Sequence, residues 1–196
     1  SLDQNWGKKI AQDINHTYNS VYGVLRPFKD VNNKNNNSNN SKKISLNDIY
    51  SPDIYISKYG DLQKMNPEEL YNHLIRYGIK EGRVFSYIFD AKFYANKYAD
   101  LKSAYGNDYM ALFNHYITWG FFEGRQASAI YDPNYYLENN LDVKNTLGND
   151  YKSVLNHFFR FGMKEGRLAS KDFNVKIYKE KNPDIKKSLK DDMQAY

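Results

Sequence analysis

Apolar residues recur along this chain at helical spacing, interrupted twice by polar stretches. Trp6, Ile10, Ile14, Tyr18, Val21 and Leu25 lie four or three apart, which predicts one amphipathic helix within residues 1–28. Asp3 or Asn5 is placed to cap it, and Arg26-Pro27 is a natural stop, because a residue before proline avoids the helical region. Residues 29–45 are rich in Asn, Ser and Lys and are expected to be a flexible linker. Helical spacing returns at residue 46 and now repeats. His73, His115 and His157 are separated by 42 residues, as are Gly78, Gly120 and Gly162, and Arg83, Arg125 and Arg167. A period of that length means stacked units.

Three units align, 49–87, 88–129 and 130–171, with a partial fourth over 172–196. The second and third share 17 identities over 42 positions without a gap. The predicted fold is therefore all-α: a short solenoid-like array of three and a half repeats over 46–196, preceded by the amphipathic helix and the linker. The chain is expected to stop within the first turns of the fourth unit's third helix.

Three short helices are expected in each unit. The first opens on Ser51, Asp90, Asp132 or Asn174 as its cap, with Pro52 or Pro133 at its first position. The second is expected to be capped by Asp61, Asp100, Asp142 or Asp184, and Gly106 and Gly148 begin the next turn. The third carries the main apolar face: Leu112, Phe113, Tyr116 and Ile117 in unit two, and Val154, Leu155, Phe158 and Phe159 in unit three. Tyr77, Trp119 and Phe161 add a second apolar edge, as if this helix were sandwiched between units. The same three rings would suit sugar faces if they were exposed.

Composition narrows the function classes. There is no cysteine, which removes disulfides and thiolate metal sites. No apolar run approaches the roughly 18 residues of a membrane span. Residues 1–45 carry a net charge of +4 and the remainder only +1. The repeats therefore lack the basic footprint of a nucleic-acid binder.

The repeated polar residues are the candidate site. They are His73, His115 and His157, Glu81, Glu123 and Glu165, and Arg83, Arg125 and Arg167, beside Tyr77, Trp119 and Phe161. Each unit supplies only one His, so no metal or other cofactor is expected. The plain expectation is structural, with each His hydrogen-bonded to a neighbouring unit. The first glycine (Gly78, Gly120, Gly162) would end the third helix, and the Glu-Gly-Arg glycine would turn the chain. The Arg would then reach helix-end carbonyls or a carboxylate of the adjacent unit. The alternative is a groove in which Arg and Glu hold acidic or hydroxyl-rich ligands. Hydrolase, phosphate-loop and zinc-protease motifs are all missing, and no catalytic residue is assigned.

The run Phe/Tyr-Asp-x-x-Tyr-Tyr, then Asn-x-Asp-Leu/Val, then His-Tyr/Phe-x-x-x-Gly-x-x-Glu-Gly-Arg resembles a helical repeat of bacterial surface and secreted proteins. In clostridia it is similar to the non-catalytic repeats that accompany peptidoglycan hydrolases. The resemblance covers about 49–196. Asp3-Gln4-Asn5-Trp6-Gly7-Lys8-Lys9-Ile10 also resembles the closing helix of a glucosaminidase-type wall hydrolase domain, none of whose catalytic residues is present. Together these imply a secreted or wall-associated chain that binds a bacterial cell-wall polymer, peptidoglycan or wall polysaccharide, for a hydrolase (glucosaminidase or amidase). The charge distribution and the lack of a spanning run lead to the expectation of no nucleic-acid and no membrane partner. A protein-interaction or spacer array without glycan affinity is the other reading.

Overall fold

The structure, a computed structural model, describes residues 43–183. The expected N-terminal helix, the linker up to residue 42 and residues 184–196 of the fourth unit lie outside the described residues. Within them the chain is all-α; the nearest thing to a strand is one isolated parallel bridge between Phe89 and Ala127.

The folded region reaches back further than residue 46. Ile44 is fully buried, and its N–H donates to the Ile117 carbonyl at 3.1 Å. Ser45 and Asp48 then form a reciprocal capping box that starts α1 (Leu46–Ile49). The segment 44–49 touches the third helices of units one, two and three. Asn47 accepts from the Tyr71 hydroxyl, Ile44 pairs with Ile117, and Asp48 lies 3.9 Å from Lys152.

The first helices are α2 (Pro52–Lys58), α4 (Ala91–Lys97), α7 (Pro133–Asn139) and α11 (Val175–Lys181). Asp90, Asp132 and Asn174 cap the last three through their side chains; Ser51 makes no such bond. The second element is a 3-10 turn over Gly60–Leu62 in unit one, and helices α5 (Ala99–Tyr105) and α8 (Leu141–Leu147) in the others. Their caps are Tyr98 and Asn140, not the predicted Asp100 and Asp142. Those carboxylates sit two residues too late to cap, and their oxygens are taken by arginine, as described below.

The third helices α3 (Pro67–His73), α6 (Tyr109–His115) and α9 (Tyr151–His157) start on Asn66, Asp108 and Asp150. Each runs on as a π-helix, over Leu74–Gly78, Tyr116–Gly120 and Phe158–Gly162. The bonds Ile79 N–H to Leu74 O and Phe121 N–H to Tyr116 O, at 3.1 and 2.9 Å, span five residues rather than four. Gly78, Gly120 and Gly162 therefore do not end these helices. The helical path continues through Ile79, Phe121 and α10 (Met163–Glu165). The stop comes at Gly82, Gly124 and Gly166, with φ of 65°, 69° and 60°. There Gly82 N–H bonds Ile79 O, and Arg83 N–H bonds Gly78 O, at 3.1 and 2.9 Å, with equivalents in both other units. That is a Schellman motif, which needs a residue free to adopt positive φ.

One apolar core runs through all three units. Phe85, leaving unit one, meets Phe113 of unit two with ring centroids 5.9 Å apart; Tyr131 meets Phe158 in unit three at 4.6 Å. Backbone ties close each unit: Ser51 N–H to Phe85 O, Asp90 N–H to Ala127 O, and Asp132 N–H to Ala169 O. Ser128 crosses between units, donating to the Tyr87 carbonyl at 2.6 Å.

Candidate functional site

Each repeated His is held from within its own unit. The Tyr55 hydroxyl lies 2.8 Å from His73 Nδ1, Tyr94 3.0 Å from His115 Nδ1, and Tyr136 2.8 Å from His157 Nδ1. The expected bond to a neighbouring unit is not formed, because the first helix of the same unit brings its tyrosine there. Burial keeps these phenols protonated, pushing Tyr55 up to about 12 and Tyr94 and Tyr136 higher. A protonated phenol can both donate and accept, so it bonds Nδ1 in either imidazole tautomer.

The π-turn glycines make room for this bond. A Cβ at Gly78, Gly120 or Gly162 would overlap the hydroxyl of Tyr55, Tyr94 or Tyr136 and lie 2.9, 3.0 or 3.1 Å from its Cζ. The widened turn and the missing side chain together seat the phenol against the helix backbone.

The Glu-Gly-Arg block is likewise closed within the unit. Arg83 Nε donates to Glu81 at 2.6 Å, and its Nη1 to Asp61 at 2.8 Å. Arg125 does the same to Glu123 and Asp100, and Arg167 to Glu165 and Asp142. Hydrogen bonding from these guanidiniums holds the Asp61, Asp100 and Asp142 carboxyls below the usual range. Arg83 and Arg125 also lie over the rings of Tyr59 and Tyr98, 4.8 and 4.9 Å from the centroids. In unit three Asn140 stands at that place, 3.4 Å from Arg167 Nη1. Each Arg is thus bound to its own Glu and to its own unit's second element rather than to the adjacent unit.

The outward rings are different. Tyr77, Trp119 and Phe161 are 54%, 62% and 48% exposed, so the second apolar edge is not sandwiched. Tyr77 packs beside the His73 ring and Phe161 beside His157, both at 5.4 Å. In the middle unit it is Tyr105 that meets His115, at 5.8 Å. Arg160 flanks Phe161, 5.8 Å from the ring centroid. Each unit thus presents an exposed ring with a half-buried imidazole on the preceding turn.

The aspartates facing the arginines are read from sequence only as caps, and the tyrosines behind the histidines are given no role there, although both recur at the unit spacing. Gln126 was also missed. It is buried where the other units carry Val84 and Leu168. Among the described residues no group of His, Asp and Glu could hold a metal ion, and no helix is long and apolar enough to cross a membrane. The chain matches no protein-family model, no curated protein and no solved structure.

Proposed function

We propose that residues 44–196 are a solenoid-like array of three and a half repeats that binds a bacterial cell-wall polymer, peptidoglycan or wall polysaccharide, without catalysis. In this reading the chain is secreted or wall-associated and retains an attached hydrolase near its substrate. The observation that carries it is the exposure of Tyr77, Trp119 and Phe161 at equivalent places in three units. A spacer has no use for three large rings in water, whereas sugar rings stack on such faces. Three equivalent weak sites on one framework raise retention through effective concentration. Co-sedimentation of the full chain with purified cell walls tests the proposal. Retention is expected, with strong loss in the triple variant Tyr77→Ala/Trp119→Ala/Phe161→Ala. No retention of the folded chain, or undiminished retention of the triple variant, refutes it.

A further inference from the structure

A cleft of about 320 Å³ opens where unit two, unit three and the start of unit four meet. It lies at the small end of the roughly 300–1,000 Å³ range of ligand pockets. Gln126 sits at its base, 3% exposed. Its amide nitrogen reaches Ser128 O at 2.8 Å, Ser170 Oγ at 3.2 Å and Asp172 Oδ2 at 2.7 Å, and its amide oxygen accepts from Lys97 Nζ. This polar network exists at one junction of the array, because Val84 and Leu168 hold the equivalent positions elsewhere.

The walls carry both signs of charge. Lys97 and Lys171 supply two cations; Asp132, Glu138 and Asp172 supply three carboxylates. Among the described residues none of these five groups forms an ion pair, with each other or with anything else. Lys171 instead lies over the ring of Tyr135, 5.9 Å from its centroid. By contrast, Arg83, Arg125 and Arg167 each close on two carboxylates. Unpaired charges of both signs around one cleft suit a ligand that brings both signs itself.

We propose that this cleft binds a short peptide or amino acid carrying a free amine and a free carboxylate. The lysines take the carboxylate and the acidic wall takes the ammonium. Tyr135 supplies the apolar side. The inference builds on the wall-binding reading, in which the sugar strand lies on the exposed rings and the cleft reads the peptide stem. The two remain separable by experiment.

The test is an amide-resolved NMR titration of the full chain with a soluble alanyl-glutamyl-diaminopimelate tripeptide. The control is the same tripeptide with its amine acetylated and its carboxylates amidated. Saturable shifts at Gln126, Tyr135 and Glu138 are expected with the free peptide. Blocking the peptide is expected to weaken binding at least about tenfold. Glu138→Gln and Lys171→Gln leave the Gln126 network intact and are expected to weaken it severalfold each. Gln126→Leu restores the residue that unit three carries at this position and should fold. Equal binding of the blocked peptide, or no saturable shift at the cleft, overturns the proposal. If the chain sediments with walls and yet shows no shift, only this inference falls. If the free peptide binds and walls do not retain the chain, the inference stands and the wall reading falls.

Discussion

The two sides of the third helix differ in kind. Its inner side is built alike in every unit: one tyrosine, one histidine and one glycine, with Tyr–His distances between 2.8 and 3.0 Å. Its outer side carries Tyr77, Trp119 and Phe161, three different rings in equivalent places. A position that must fit a fixed neighbour admits one residue. A position that faces water admits any large ring. The inner side thus sets the fold, and the outer side is free to set what is bound.

The largest test of that contrast is Gly120→Ala. The new methyl overlaps the Tyr94 hydroxyl, and forcing extra atoms into packed space costs about 3 kcal/mol. Urea unfolding should show it, and adding Tyr94→Phe should recover part of the loss by removing the overlapped oxygen. Absence of rescue would break the assignment of Gly120 as the seat for Tyr94. Arg125→Lys comes next, at about 1 kcal/mol, since lysine cannot hold Glu123 and Asp100 in one plane while lying flat on Tyr98.

A smaller effect follows pH. His115 and His157 are held below the ordinary histidine value of about 6.5, first by burial and then by Arg125 or Arg167. The imidazolium is thus disfavoured in the fold relative to the unfolded chain. The stability they contribute is present above about pH 6.5 and is lost as pH falls through their folded values. Denaturant midpoints at about pH 5 should lie below those at about pH 7.5, and replacing both histidines with Gln should flatten this difference. Smallest of all, Trp119→Ala should change stability by less than about 0.5 kcal/mol while reducing wall retention. A large loss of stability there would erase the distinction between the two sides.

The period, the all-α class, the caps at Asp90, Asp132 and Asn174, and most of the core positions were legible from residue spacing. The end of the third helix was not. Gly120 was read as a terminator because glycine often ends helices, whereas its use here is to admit a tyrosine from another helix. That close approach depends on tertiary packing and leaves no local mark. Trp119 was placed on an apolar edge by counting 3.6 residues per turn. The π segment from Tyr116 to Gly120 winds more slowly, so Trp119 falls away from the stripe that still holds Tyr116 and Ile117. The aspartates were misassigned as caps because Asp is a good cap, and their arginine partners lie 22 to 25 residues away in sequence. The cleft at Gln126 escaped because it departs from the repeat instead of following it.

The left-handed glycine that closes one unit also meets the next. A Cβ at Gly82 would strike the ring of Tyr109, and one at Gly124 the hydroxyl of Tyr151, both opening residues of the following third helix. The exit of each copy is thus a socket for the entrance of its successor, which gives the array a direction. An in-frame duplication of 42 residues would present socket to plug once more. The length of such a chain can therefore change by whole copies, with no new interface to invent.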